Sequence, residues 1–316
     1  MKKILMGHNF VREGFQRLEG KYEVIYPEKQ LFTRTEILER ITDVDAFVPN
    51  FSFQTDEEMI DAGKKLQLIA NYGVGYNNID TAYAATKGIT VTNTPQSVLE
   101  PTAELCFALM MATARKVAYY NHKLHNGVRL DWSLYGDLGM PVYGQTLGIY
   151  GMGRIGQSIA RRAVASGMKI IYCNRHALPK EVEEKYGAVY VDFDTLLREA
   201  DVISLNAPAT AETYHLMGEQ EFKKMKRSAI LINTARGQLV DVQALAKALQ
   251  EGEIYAAGLD VYENEPKIPQ ELIGLDNVVL SPHAGTKTYA ARLDMEQEVA
   301  MNIINFFEGG EIDKVN

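Results

Sequence analysis

Short apolar runs separated by stretches of helical spacing set the pattern of this chain. In the first third they fall at Lys3 to Gly7, Tyr22 to Tyr26, Ala46 to Pro49, Leu66 to Ala70 and Ile89 to Thr92. These runs are rich in Val, Ile and Leu with little alternation, as expected of strands covered on both faces. Five such strands alternating with helices predict a parallel sheet. A second series runs through Thr146 to Tyr150, Lys169 to Cys173, Ala188 to Val191, Val202 to Asn206, Ala229 to Asn233, Ala256 to Asp260 and Val278 to Leu280. Between the two, Val98 to Tyr120 reads as one long helix, followed by an irregular arm with Gly127, Trp132, Gly136, Gly139 and Pro141. Beyond Pro282-His283, Tyr289 to Phe307 carries Leu293, Val299, Ile303, Ile304 and Phe307 at helical spacing, which predicts a helix returning to the first unit. The predicted fold is α/β with two doubly wound parallel-sheet domains. One is discontinuous, residues 1–99 and 286–316; the other spans 100–285 and includes the arm near 119–144.

The 316 residues are enough for two separate cores. A formal net charge of -8, with no Lys/Arg cluster, repels polyanions and argues against a nucleic-acid partner. The apolar run Ile4-Leu5-Met6 is cut off by Gly7-His8-Asn9, so it reads as a buried strand and not as a signal-peptide core. Cys106 to Ala112 is too short to span a bilayer and is flanked by Glu104 and Arg115, so no membrane association is expected. Cys106 and Cys173 both sit in apolar segments, which suits two buried thiols in a reducing compartment, the cytoplasm.

The strongest local motif is Gly151-Met152-Gly153-Arg154-Ile155-Gly156, which follows the strand Leu147 to Tyr150 and opens the helical stretch Gln157 to Ala165. The first glycine permits a tight turn, the second lets a pyrophosphate approach the backbone, and the third lets helix pack on strand. Amides at the helix start then face the anion. Alone, such a motif also fits a simple helix-entry turn or a methyltransferase. The next strand ends in Asn174-Arg175-His176, where an acid would normally hold the ribose 2′-hydroxyl. With no carboxylate to repel a 2′-phosphate and Arg175 to bind it, NADP(H) is expected to be favoured, with NAD(H) use possible.

Four further segments carry a resemblance: Asn71-Tyr72-Gly73-Val74-Gly75-Tyr76-Asn77-Asn78-Ile79-Asp80, Thr234-Ala235-Arg236-Gly237, Gly258-Leu259-Asp260-Val261-Tyr262-Glu263-Asn264-Glu265-Pro266 and Ser281-Pro282-His283-Ala284-Gly285. With the glycine loop they resemble the D-isomer-specific 2-hydroxyacid dehydrogenases over essentially the whole chain, in particular the branch of glyoxylate/hydroxypyruvate and 2-ketogluconate reductases. The resemblance implies a Rossmann nucleotide-binding domain and a flavodoxin-like substrate domain. It implies an NAD(P)-dependent enzyme moving a hydride between the nicotinamide and a small 2-oxo or 2-hydroxy acid, and a homodimer joined through the arm. The family's catalytic trio matches Arg236, Glu265 and His283. The substrate side matches Phe51, Ser52, Val74, Gly75 and Tyr76. The dinucleotide side matches Thr102, Gly151, Gly153, Arg154, Ile155, Gly156, Asn174, Arg175, Ala207, Pro208, Thr213, Thr234, Ala235, Asp260 and Gly285.

These residue types suit the chemistry. A guanidinium fork holds a carboxylate while polarising the adjacent ketone, a task for Arg236. The alkoxide left by hydride arrival needs a proton from a group protonated near neutral pH, a task for His283. A carboxylate on the far ring nitrogen fixes the tautomer and favours the imidazolium, a task for Glu265. Gly73 and Gly75 allow loop amides close to a substrate carboxylate. Each residue also has a plainer reading: Arg236 as an ion-pair partner, His283 as a turn histidine, Glu265 as one turn acid among several. His122 and His125 lie three apart with no third ligand at suitable spacing and read as surface residues, so no metal is expected. The aromatics Tyr119, Tyr120, Trp132 and Tyr135 suit either a dimer contact or anchors of the arm to its own domain.

Departures narrow the branch. Asn50-Phe51-Ser52-Phe53 lacks the basic residues of phosphoglycerate dehydrogenases and predicts an apolar wall with Val74 and Tyr76. Val74 stands where phosphite dehydrogenases have Lys, Glu265 where formate dehydrogenases have Gln, and Asn77 where many members have Asp. The rival from another class is a dinucleotide-sensing corepressor on the same fold.

Overall fold

The computed structural model describes residues 1–51 and 53–316, so the expected substrate contact Ser52 lies outside the described residues. The chain forms two compact units, Met1–Val98 with Thr286–Asn316, and Leu99–Gly285.

The first unit runs β1 (Lys2–Met6), β2 (Tyr22–Ile25), α1 (Arg34–Arg40), β3 (Ala46–Val48), α2 (Glu57–Ala62), β4 (Leu68–Ala70), α3 (Thr81–Thr86) and β5 (Thr90–Thr92). Its strands are parallel in the order β2-β1-β3-β4-β5, the flavodoxin-like arrangement. Successive residues serve opposite faces. Ile4 and Met6 join Ala46, Val48, Leu68 and Ala70 in one core, while Leu5 joins Phe47, Ile69 and Val91 in the other. Both faces are covered, which is why the strands read as unbroken apolar runs. Thr33, Asp56 and Asp80 each accept the N–H three residues on and so start α1, α2 and α3.

The second unit runs α4 (Leu99–Ala114), α5 (Val117–His125), β6 (Thr146–Tyr150), α6 (Arg154–Ala165), β7 (Lys169–Cys173), α7 (Lys180–Tyr186), β8 (Ala188–Tyr190), α8 (Phe193–Glu199), β9 (Val202–Leu205), α9 (Glu219–Lys224), β10 (Ile230–Asn233), α10 (Val242–Gln250), β11 (Ala256–Leu259) and β12 (Val278–Leu280). The order is β12-β11-β10-β9-β6-β7-β8, parallel throughout. The winding reverses between β6 and β9, so the glycine loop after β6 opens at the switch point where such sheets bind ligands. The chain then re-enters the first unit as α11 (Tyr289–Glu308), whose Met295, Val299, Ala300 and Ile303 complete the core on β1 and β4. Glu296 of α11 is also buried there. Its Oε1 accepts the Val11 N–H at 2.9 Å, and Gly14 lies so close that a Cβ would stand 2.6 Å from Oε2.

Two expectations need correction. The single helix Val98 to Tyr120 is two, because Lys116 takes a left-handed φ of 54°. The arm causes the break: Met140 N–H donates to Ala114 O at 2.8 Å, and Gly139 presses in where a Cβ would lie 2.7 Å from the same oxygen. That carbonyl is thereby turned to the arm. Cys106 is buried as expected, but Cys173, at the end of β7, is only half-buried. Burial raises both thiols above their usual range, which keeps them poor nucleophiles. His122 and His125 are exposed on α5, and among the described residues no helix is long and apolar enough to cross a membrane.

Candidate active site

The three glycines after β6 have three separate reasons. Gly151 has φ 88° and a Cβ there would stand 2.8 Å from Ala207 N, so the turn excludes any side chain. Gly156 lies where a Cβ would meet Gly151 O at 2.8 Å, which lets α6 start against the loop. Gly153 is different: nothing stands within 4 Å of a Cβ, so the space above it is open. Gly153 also caps α6 without a side chain, leaving amides such as those of Ile155 and Gly156 to an outside acceptor. An open approach over a helix start that lacks its own acceptor fits a dinucleotide pyrophosphate.

Asn174 takes the place of the usual acid at the end of β7, and its Oδ1 accepts the Met152 N–H at 2.7 Å, bracing the loop. Arg175 and His176 beside it are exposed. Farther along the same sheet edge, Thr213 Oγ1 donates to Pro208 O and accepts from Thr210 N–H, both at 2.8 Å, so the Ala207 to Thr213 loop braces itself. Thr102 lies against Gly285, its Oγ1 3.3 Å from where a Cβ would be. The Thr234 hydroxyl after β10 is buried beside the Cys106 thiol. Ala235 N–H is held by Asn233 Oδ1 at 3.0 Å.

Glu265 and His283 are brought together in this unit. Glu265 Oε2 meets His283 Nδ1 at 2.7 Å, while Oε1 accepts the Tyr262 N–H at 3.0 Å. Burial alone would raise the Glu265 carboxyl. The hydrogen bonds from His283 and Tyr262 and the charges of His283 and Arg236 outweigh it, holding Glu265 below the usual carboxylate range. The carboxylate can only accept, so Nδ1 carries a proton. Arg236 follows β10, with Nη1 on Ala235 O at 2.7 Å. Burial lowers its guanidinium and the charge of Glu265 partly restores it; it remains protonated at any working pH.

His283 adopts a left-handed φ of 49°, a strained choice for a non-glycine residue. Asp260, at the end of β11 and 1% exposed, enforces it. Its carbonyl accepts the His283 N–H at 2.8 Å, its Oδ1 accepts Ala284 N–H at 2.8 Å and the Ser281 hydroxyl, and its Oδ2 accepts Gly285 N–H at 3.1 Å. Asp260, expected on the dinucleotide side, is thus engaged in building the turn that carries His283.

In the first unit, Asn71 Nδ2 donates to Gly73 O and Gly75 O, both at 2.9 Å, and Asn93 Nδ2 donates to Val74 O at 2.8 Å. Gly73 has φ 150°. With its carbonyls fixed this way, the amides of Val74, Gly75 and Tyr76 have no acceptor among the described residues, which suits an anion. Phe51 and Tyr76 are exposed and Val74 packs against the core.

The sequence reading marked Asn71 and Glu263 only as members of matching segments, without a role, and did not mark Asn93, Tyr214 or His215. An Asn beside a glycine-rich loop after a strand was a usable signal for Asn71, but the other groupings join segments far apart in the chain.

A glycine loop at the switch point and a carboxylate-backed imidazole in one unit define a dinucleotide-dependent oxidoreductase. Residues 107–285, more than half of the chain, match the NAD-binding domain of the D-isomer specific 2-hydroxyacid dehydrogenases. A glyoxylate reductase of Thermococcus litoralis is 46% identical over 312 residues, 97% of this chain and 94% of its own. A crystal structure of a glyoxylate reductase from Paecilomyes thermophila superposes with a TM-score of 0.90 at 37% identity, covering 99% of this chain and 98% of that one. An NADPH-dependent glyoxylate/hydroxypyruvate reductase from Sinorhizobium meliloti, in complex with NADP and malonate, gives 0.86 at 32% identity, with 99% and 96% covered. The chain belongs to the D-isomer specific 2-hydroxyacid dehydrogenase family. It is an NAD(P)-dependent oxidoreductase of small 2-hydroxy and 2-oxo acids.

Proposed function

We propose that this enzyme reduces glyoxylate, hydroxypyruvate and similar unphosphorylated 2-oxo acids, with NADPH favoured over NADH, as a homodimer in the cytoplasm. The observation that carries the reading is the Glu265–His283 contact of 2.7 Å, half-buried, with the Arg236 charge acting on the same carboxylate. The dihydronicotinamide, when bound, supplies the hydride. Arg236 grips the acid's carboxylate and polarises its ketone oxygen. His283, with Nδ1 directed to Glu265, delivers the Nε2 proton to the oxygen that becomes the hydroxyl, and Glu265 stabilises the imidazolium beforehand. Gly151, Gly153, Arg154, Ile155 and Gly156 hold the pyrophosphate, and Asn174 and Arg175 meet the ribose 2′-substituent. Thr102, Ala207, Pro208, Thr213, Thr234, Ala235 and Gly285 line the dinucleotide, with Asp260 contributing through the turn it holds. Phe51, Ser52, Val74, Gly75 and Tyr76 are the proposed substrate residues of the first unit.

The dimer reading is supported by a division among the arm aromatics. Tyr119 and Tyr120 hydrogen-bond Asp137 and anchor the arm to its own unit, whereas Trp132, Leu134 and Tyr135 are each more than 80% exposed, as a partner-facing patch would be. The test is a steady-state panel of glyoxylate, hydroxypyruvate, pyruvate, 2-oxoisocaproate, 2-ketogluconate and 3-phosphohydroxypyruvate, each with NADPH and NADH. Highest kcat/KM with the phosphorylated acid would overturn the substrate reading.

A further inference from the structure

Two residues before Glu265, Glu263 makes a contact that the reaction as described does not use. Its Oε1 accepts the Tyr214 hydroxyl at 2.8 Å and its Oε2 lies 3.4 Å from His215 Nε2. The two rings it meets are stacked, with centroids 4.0 Å apart and planes 15° apart, and His215 itself has a left-handed φ of 48°. Two neighbouring side chains therefore converge on one carboxylate, at the cost of a backbone conformation that non-glycine residues avoid.

The contact closes a ring of three segments. The Tyr214 to Met217 segment is tied to the chain following Arg236, with His215 N–H on Gln238 O at 2.8 Å and Met217 N–H on Leu239 O at 2.9 Å. That second segment is in turn locked to the Glu265 turn, because Gly237 lies so near that a Cβ would fall 2.0 Å from the Tyr262 carbonyl carbon and 2.3 Å from Glu263 N. Glu263 joins the third side, turn to first segment. Within the turn, Tyr262 N–H holds Glu265 Oε1 at 3.0 Å, and the Tyr262 hydroxyl holds Ser281 O at 2.9 Å, two residues before His283.

We infer that Glu263 is a positioning residue: gripped by Tyr214 and His215, it clamps the Tyr262–Glu265 turn and so fixes where Glu265 holds His283. This rests on reading Glu265 and His283 as the proton-transfer pair. Glu263 touches neither residue through its side chain, so its effect is geometric. A displacement of the turn loosens the carboxylate's hold on Nδ1 and with it the orientation of the imidazole that delivers the proton. The Arg236 charge also reaches Glu265, and Asp260 holds the turn that carries His283; both side chains are unchanged in the clamp variants.

The experiment uses E263Q and the double variant Y214F/H215Q, which opens the same contact from the opposite side. Both are compared with wild type, E265Q and H283A in pH profiles of kcat/KM for glyoxylate, in KM for NADPH and in thermal unfolding. The expected result for both clamp variants is a fall in kcat of about tenfold, KM for NADPH within about twofold of wild type, and a pH profile of kcat/KM displaced from that of wild type. Wild-type kcat and profile in both would overturn the inference. So would a loss of activity that tracks a lowered melting temperature while the profile stays in place. If E265Q and H283A retain wild-type turnover, the reading beneath it fails, and the clamp inference with it.

Discussion

Asn174 Oδ1 accepts the Met152 N–H at 2.7 Å, so the side chain that replaces the expected acid also fastens the glycine loop. The two roles separate on substitution. Asn174→Asp keeps an acceptor for Met152 but adds a charge where a 2′-phosphate would lie. Like charges at 4 Å repel by about 4 kcal/mol at an effective dielectric of 20, and solvent exposure reduces this to about 1–2 kcal/mol. kcat/KM with NADPH should fall by about tenfold while that with NADH is unchanged or improved. Arg175→Ala should also harm NADPH use selectively, through loss of charge-assisted hydrogen bonds. A wild-type enzyme favouring NADH by about tenfold would show this electrostatic reading of the loop to be wrong.

His283→Ala should lower turnover by about two to four orders of magnitude, the usual contribution of a positioned general acid, with dinucleotide binding retained. Arg236→Lys keeps the charge and loses the fork, so kcat/KM for the oxo acid should fall as well. Stopped-flow reduction and dinucleotide titration check both. Near-wild-type turnover in His283→Ala would remove His283 from the proton transfer.

Gly151 and Gly153 should respond oppositely to alanine. At Gly151 the left-handed φ and the Ala207 backbone 2.8 Å away make the methyl a strain on the fold, and Gly151→Ala should melt lower. At Gly153 a methyl meets nothing in the protein, so Gly153→Ala should fold normally and lose affinity for NADPH. Unaltered NADPH affinity in Gly153→Ala would contradict a pyrophosphate over that position.

Glu296 makes stability depend on pH. Burial, its largest influence, raises the carboxyl from 4.5 to about 7, despite the opposing Val11 hydrogen bond, the nearby Gly14 N–H and the charge of Arg292. The folded state therefore holds this proton more tightly than the unfolded chain. Its contribution falls as pH rises from about 4.5 through about 7 and then levels, a loss of at most about 3 kcal/mol. Glu296→Gln removes the ionisation, so its stability relative to wild type should rise between about pH 5 and pH 8. Denaturant midpoints at the two values check this, and an equal difference at both would refute it.

Much of this architecture was legible because parallel strands buried on both faces leave unbroken apolar runs, as at Ile4 to Met6 and Ile230 to Ile232. Local chemistry also marked the glycine loop, while the segments bearing Arg236, Glu265 and His283 were marked by the family resemblance. The break at Lys116 was not legible, since Ala114 O is drawn off by Met140, distant in sequence and held by the folded arm. Nor was the engagement of Asp260 with the His283 turn, or the convergence of Tyr214 and His215 on Glu263, because each depends on segments that meet only after β9, β10 and β11 have aligned. Periodicity records which face a residue serves; it does not record which distant polar groups it will answer.

The return of α11 to the first unit carries a consequence for synthesis. Met295, Val299, Ala300 and Ile303 fill the core over β1 and β4, yet they are translated after the whole of the second unit. Chains usually fold from the N-terminal domain onward as they leave the ribosome. Here the first sheet made must wait with one face covered only in part, by Phe10, Phe15, Leu18 and Tyr72, while the later unit already has every strand and helix it needs. Biogenesis therefore runs out of chain order, and the exposed face of β1 and β4 is the surface a nascent-chain chaperone would have to shield.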